Sequence, residues 1–278
     1  MLLCCGLTTL DVSQVVETMP GPDQKVVAER LSVTFGGPAA NAAATAVALG
    51  VPTRLVTALG SGPVAELIRA ELIASGVQVV DLAAGTDVQP PVSTVLITRS
   101  TGQRAVASVN AVGMPALPEP GPEVWEGVRA VLVDGHHLGA AVPVAARARR
   151  SGIPVVLDGG SWKPGMGELL GEVDHAVLSA DFRLSDGSDL DMLDRWPLRS
   201  VARSAGAGPV RLSTGQGTVE LPVPEVQVVD TLGAGDVLHG ALAAELVRGS
   251  GIDTALRSGI EVASRSVRFP GARGWITG

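Results

Sequence analysis

Cysteine is nearly absent from this sequence: Cys4 and Cys5 stand side by side and are the only two in 278 residues. Adjacent cysteines supply neither a disulfide framework nor spaced metal ligands, and the natural compartment is a reducing cytoplasm. Tyrosine is missing and aromatic residues make up only 3% of the chain, so there is little to stack on a nucleobase. Lysine occurs only at Lys25 and Lys163, which leaves the cationic work to arginine. The formal net charge of −7, with no basic cluster interleaved with aromatics, argues against nucleic acid as a partner. Hydrophobic residues reach 46%, yet Ala and Val carry much of that share and no uninterrupted apolar run approaches the ~18 residues of a membrane span. The opening MLLCCGLTTLD lacks a basic start and meets Asp11 too soon for a secretory signal, so it reads as a first strand ending at Asp11. A Walker loop is missing, and Gly233-Ala-Gly235 lacks the third glycine of a dinucleotide fingerprint.

What the chain does contain is an alternation of short β-branched runs with Ala/Leu-rich stretches. Strands are expected at 54–59, 130–134, 154–158, 175–179 and 209–213, and helices at 39–49, 65–75, 142–150 and 234–248. Such alternation implies a parallel sheet covered on both faces, with ligands bound beyond the carboxyl ends of its strands. Asp134, Asp158 and Asp230 each fall at such an end. The stretches 12–35 and 90–110 break the rhythm, and PPVSTVLITRSTGQRAVASVN alternates around a Ser-Thr-Gly turn as a hairpin does. Together they would form a small sheet, a lid or an interface, on a single domain spanning 1–278. Its exposed strands invite pairing, which makes a homodimer through the lid the expected assembly.

Two segments carry chemistry. In FGGPAANAAATAVALG, Gly36 and Gly37 permit close backbone approach, Pro38 suits a helix start and Gly50 its end, with Asn41 in the first turn. Asn41 would either exchange hydrogen bonds with a hydroxyl or serve as a local cap. In VVDTLGAGDVLHGAL, the valines before Asp230 read as a buried strand and the residues after Asp236 as a helix. Gly233-Ala234-Gly235-Asp236 then lies at a helix start, whose unpaired N–H groups and positive dipole end favour an anion.

GGPAANAAATAVALG, with Gly60 ten residues after Gly50, and DTLGAGDVLHGAL resemble the N- and C-terminal signatures of the ribokinase-like (PfkB) carbohydrate kinases. The resemblance covers essentially the whole chain. It implies a three-layer α/β/α fold with a mostly parallel central sheet and a small β-sheet lid. It also implies transfer of the γ-phosphoryl group of ATP, with Mg2+, to a hydroxymethyl group of a small sugar: a ketose, pentose or sugar acid. Asp236 would be the general base, kept ionised by the helix start, with the N–H groups of Gly233, Ala234 and Gly235 stabilising the moving phosphoryl group. Asp11, Gly36, Gly37 and Asn41 match the sugar clamp. Asp230 and Thr231 match positions that hold a monovalent cation such as K+, and equally fit a strand-end turn. Ser213, Thr214, Gly215 and Gly217 stand where the family has its Thr-x-Gly-x-x-Gly nucleotide loop, one residue shorter. Where many members have Asn-x-x-Glu this chain has Ser179-Ala-Asp-Phe182, so no magnesium ligand is assigned. His136 and His137 are equally a substrate contact or a structural turn, Asp158 leans toward function, and Arg99 and Arg104 on the hairpin read as solvated. A non-catalytic sugar- or nucleotide-binding protein on the same fold is the alternative, favoured by the altered Asn-x-x-Glu but not by the intact Gly-Ala-Gly-Asp. A nucleoside kinase is disfavoured by the few aromatics, and a sugar-phosphate kinase by Pro38, where lysine is common.

Overall fold

In β1 (Leu2–Cys5) every residue is buried, Leu2 and Cys4 in one apolar cluster and Leu3 and Cys5 in another. Period-two side chains do this when a strand is covered on both faces. Burial accordingly pushes both thiols well above their ordinary range.

The computed structural model describes residues 1–184 and 192–276. After β1 come β2 (Thr9–Val16), β3 (Arg30–Gly36), α1 (Pro38–Ala48), β4 (Thr53–Thr57), α2 (Pro63–Ala74), β5 (Gln78–Asp81), β6 (Val92–Thr98) and β7 (Arg104–Ser108). The chain continues with β8 (Ala130–Val133), α3 (Leu138–Arg150), β9 (Val155–Gly159), α4 (Met166–Leu170), β10 (His175–Leu178) and α5 (Met192–Arg195). It ends in β11 (Ser200–Ala205), β12 (Gly208–Thr214), β13 (Gly217–Leu221), α6 (Ala234–Arg248) and α7 (Ile252–Ser266). Nine strands form the main sheet in the order β13-β12-β11-β10-β9-β8-β1-β4-β5. The seven neighbours β11-β10-β9-β8-β1-β4-β5 pair in parallel, while β12 pairs antiparallel with both β11 and β13, so the run at 209–213 is a strand but not a parallel one. Helices α1, α2, α6 and α7 cover one face and α3 and α4 the other, giving the three layers expected. A second sheet, β3-β2-β6-β7, gathers the two stretches that broke the βα rhythm. No helix among the described residues is long and apolar enough to cross a membrane.

One close approach positions the site. Gly240 of α6 lies so near α1 that a Cβ there would sit 2.4 Å from the Ala42 carbonyl oxygen and 2.8 Å from the Thr45 Cβ. Only glycine fits between the two helices. Gly240 follows Asp236 by four residues and Thr45 follows Asn41 by four, so the contact brings Asn41 and Asp236 together one turn earlier.

Two expectations fail here. Val228 and Val229 lie in a loop with 57% and 54% exposure, not in a buried strand. The sheet already ends at β13, and Pro222 and Pro224 remove donors that a further edge strand would need. Asp230 is therefore a loop residue. Asp11, expected at the end of the first strand, is the third residue of β2 in the second sheet. The chain breaks between β1 and β2 at Gly6, where a Cβ would lie 2.2 Å from the Asp134 carboxyl.

Candidate active site

Helix α6 begins on Gly233, whose left-handed φ of 73° and close contact with Ala272, 2.4 Å from a would-be Cβ, require glycine. Among the described residues no side chain caps this helix; Ala234 N donates to the Thr231 carbonyl at 3.3 Å, which leaves the N–H groups of Gly235 and Asp236 without an acceptor. At Gly235 nothing lies within 4 Å of a would-be Cβ, and the space above the helix start is open. An anion can approach the backbone there.

Asp236 is in the first turn, its carboxyl deep in the crevice while the residue keeps a partly exposed edge. Asn41 Nδ2 donates to Asp236 Oδ2 at 2.7 Å. On its other side Asn41 Oδ1 accepts from Arg273 Nη1. Arg273 also donates from Nη2 to Thr34 Oγ1 and, at 2.7 Å, to the Phe35 carbonyl, and its guanidinium lies 3.6 Å from the Phe35 ring centroid. Asn41 is thus no local cap, and its oxygen is already engaged. Asp11 accepts from Thr9 Oγ1 at 2.7 Å and presses on Gly36, where a Cβ would fall 1.9 Å from Asp11 Oδ2. Gly37 has φ 95° and would collide with the Leu7 carbonyl. Of these groups, Asp11, Thr34, Phe35, Asn41 and Arg273 line a cavity of about 340 Å³ together with Ser13 and Leu232, and Asp236 reaches it through Asn41.

Electrostatics around Asp236 differ from the expectation that a helix start keeps it ionised. Burial pushes its carboxyl up to about 7, Asp158 and Asp11 add to the rise, and the Asn41 bond and His239 oppose it. Desolvation outweighs the helix dipole because, among the described residues, one side chain donates to this carboxylate. Asp158, at the end of β9, is also raised, by burial first, against the pull of His239. His239 Nδ1 sits 3.2 Å from Asp158 Oδ2 and 2.6 Å from the Gly235 carbonyl, while Nε2 faces the Val177 carbonyl at 3.1 Å. Asp134 behaves oppositely. Although burial would raise it, His136 and backbone N–H groups hold it well below the usual carboxylate range. Its oxygens accept from Leu7 N at 2.7 Å, Ala39 N at 3.2 Å and His136 N at 2.9 Å, so this strand-end aspartate anchors the start of α1.

Other sequence candidates disperse. Asp230 Oδ1 accepts from Leu232 N at 2.9 Å and Oδ2 from Gly271 N at 2.8 Å, closing the loop onto the segment after α7. Thr231 Oγ1 accepts from Arg104 Nη1 at 2.6 Å, so Arg104, exposed as expected, also ties β7 to the loop before α6. Arg99 lies 3.4 Å from Glu29. His136 Nδ1 is 3.2 Å from Asp134 Oδ1, and His137 has a left-handed φ of 52°, a turn role for the pair. Ser179 Oγ donates to the Gly160 carbonyl at 2.8 Å and Asp181 is exposed. Among the described residues no group of three or more His, Cys, Asp or Glu is arranged to hold a metal ion.

The glycine-rich hairpin of Ser213, Thr214, Gly215 and Gly217 needs correction. Thr214 pairs with Ser200, the first residue of β11, which in turn pairs with His175, the first of β10. The hairpin therefore lies at the amino edge of the parallel strands, five residues or about 16 Å along β11 from the carboxyl edge. At that carboxyl edge is the turn between β11 and β12, where Ala205 pairs with Gly208 around Gly206, φ 59°. Sequence reasoning passed over this turn, and passed over Arg273 and His239. Ser204-Ala-Gly-Ala-Gly208 was the available signal for the turn; a lone arginine after Pro270-Gly-Ala looks like any surface arginine.

Comparison with known proteins bears on this geometry. The profile described as "pfkB family carbohydrate kinase" matches residues 1–132 and 192–276. Ribokinase of Arabidopsis thaliana is 28% identical over 298 aligned positions, covering 98% of this chain and 77% of that protein. Ribokinase of Bacillus subtilis is 27% identical, covering 97% and 93%. Among solved structures, Arabidopsis thaliana ribokinase complexed with ribose and ATP superposes with a TM-score of 0.75 at 21% identity, covering 99% of this chain and 97% of that one.

Proposed function

Because this chain belongs to the pfkB family of carbohydrate kinases and is an ATP-dependent sugar kinase, we propose that it phosphorylates a hydroxymethyl group of a small sugar with Asp236 as general base. The observation that carries the reading is the carboxyl of Asp236, raised to about 7, in the first turn of an uncapped helix beside open space. A base with that acidity is half ionised near neutral pH and holds a proton well once it takes one. The N–H groups of Gly235 and Asp236 would face the transferring phosphoryl group, while that of Ala234 is held by the Thr231 carbonyl, so the acid serves the sugar and the backbone serves the phosphate.

Three features support a sugar. The cavity beside Asn41 has the size of a small-molecule pocket and carries carboxyl, amide and hydroxyl groups. Asp11 and the free N–H of Asn41 would bind hydroxyls, with Gly36 and Gly37 giving the room for that clamp. Phe35, the aromatic residue against this cavity, already has Arg273 on its face, which argues against a nucleoside. Ketose, pentose and sugar acid remain the substrate classes to test.

For the nucleotide we move the contact from Ser213, Thr214, Gly215 and Gly217 to the turn of residues 205–208, since ligands of parallel sheets bind at the carboxyl edge. Magnesium would arrive on the phosphates of ATP and neutralise charge on the moving group. With the side chain of Asp230 committed to backbone, the carbonyls of Asp230 and Thr231 are what a monovalent cation would use; faster turnover in K+ than in Na+ tests this. We further read the second sheet as a lid and as the face of a homodimer, supported by Leu31 and Val106, 62% and 54% exposed on its two edge strands. Light scattering that gave a monomer would contradict the dimer.

The direct test is ADP release from ATP and magnesium across ribose, other pentoses, ketohexoses, sugar acids and nucleosides. Turnover with one sugar and none with nucleosides is expected. Turnover confined to nucleosides would overturn the substrate reading.

A further inference from the structure

The reading of Asp236 as base raises the question of what fixes its orientation in a crevice crowded with acids. Asp158 faces it from β9 and Asp11 from β2, His239 lies one turn along its own helix, and α1 contributes only the neutral Asn41. Asn41 alone cannot choose which end of its amide it presents, because an amide can donate or accept. The choice is made from the far side. Arg273 has donors only, and its Nη1 takes the amide oxygen, which leaves Nδ2 toward Asp236. The guanidinium is itself held by Thr34 Oγ1, the Phe35 carbonyl and the Phe35 ring, so it is fixed from a third element, β3. Glu71 of α2 accepts from Thr34 Oγ1 at 2.9 Å and from Phe35 N at 2.8 Å, bracing that strand from behind.

We propose that Arg273 is a positioning residue for phosphoryl transfer: through Asn41 it binds and charges Asp236, engaging Oδ2 and leaving Oδ1 as the proton acceptor. This rests on Asp236 being the base. The relay links three places far apart in the chain, with Asn41 separated from Asp236 by 195 residues and from Arg273 by 232. Two consequences follow. The polarised amide is a stronger donor than a free one, which favours the carboxylate over the acid. And the relay commits three of the five N–H donors of Arg273 to neutral protein acceptors, so at most two are left for a substrate. Burial lowers the guanidinium to about 10, and it stays charged through the pH range in which the enzyme would work.

The test is the pH dependence of kcat and KM for Arg273→Met, Arg273→Lys and Asn41→Asp, on the sugar that the native enzyme turns over, with Asp236→Asn alongside. Arg273→Met should move the acidic limb of kcat up by about one pH unit, an approximately tenfold loss below the limb that largely disappears at high pH. Arg273→Lys keeps the charge without the fork and should move it less. Asn41→Asp keeps shape and a partner for Arg273, so it remains informative if Arg273→Met does not fold. It puts a second carboxylate against Asp236 and should displace the limb furthest. An equal loss of kcat at every pH, or a raised KM with an unmoved limb, would overturn the relay while leaving the base in place. Substantial turnover in Asp236→Asn would overturn both.

Discussion

At the start of α1, Asp134 reaches in from the end of β8 and accepts from the backbone of Leu7, Ala39 and His136. At the start of α6, Asp236 accepts from one side chain, the amide of Asn41. Both carboxyl groups are deep and both lie by a helix N-terminus, yet Asp134 is held well below the ordinary carboxylate range and Asp236 is pushed up to about 7. The helix dipole is common to both. The number of donors is not, nor is the neighbour, His136 for one and Asp158 for the other. Burial sets a penalty on the charged form, and donors decide whether it is offset. The well-satisfied aspartate holds two loops together, while the under-satisfied one can take up a proton.

Exchanging the chemistry of each aspartate for an amide breaks this comparison most strongly. Asp236→Asn should lower kcat by on the order of 10²–10⁴ with sugar binding retained, measured by steady-state kinetics and calorimetric titration. Asp134→Asn should instead act on stability: an amide cannot accept all three backbone bonds, and each stranded buried N–H costs about 1–3 kcal/mol in urea unfolding. Its turnover per folded molecule should change far less.

Asp236→Asn sharpens the comparison a second time, through melting temperature against pH. A carboxyl near 3.8 when unfolded and about 7 when folded binds its proton more tightly in the native state, so its contribution weakens the fold as pH rises from about 4 to about 7 and levels off above that. The variant should therefore melt above the native protein at pH 8, with the gap closing toward pH 5. A gap that grows on acidification would mean that Asp236 is satisfied as Asp134 is. The smallest effect is expected at Arg104→Ala, which removes one bond between β7 and the loop before α6. That bond contributes about 0.5–1.5 kcal/mol, a several-fold rise in sugar KM with kcat nearly unchanged.

Much of this was legible in the chain. Helix α6 begins and ends where GAGD and the Ala/Leu run put it, because the left-handed Gly233 and Gly249 at its ends are local features. Strands β4 and β8 to β10 fall within a residue or two of their β-branched runs for the same reason. The failures are nonlocal. Nothing near Val228 says that the sheet is already full, and nothing in Ser213-Thr-Gly-Gln-Gly217 says which edge of the sheet the hairpin occupies. That edge follows from β12 running antiparallel, which only the pairing reveals. The acidity of Asp236 depends on Asn41 and Asp158, and the orientation of Asn41 on Arg273, so the chemistry of the motif is set by residues outside it.

The most direct measurement is kcat of the native enzyme from pH 5.5 to 9.5, at saturating ATP, magnesium and sugar. Asp236 as a base with a carboxyl near 7 predicts turnover that climbs about tenfold per pH unit on the acidic side and levels off above neutrality. A profile flat between pH 6 and pH 8.5, with chemistry rather than product release limiting the rate, would contradict it.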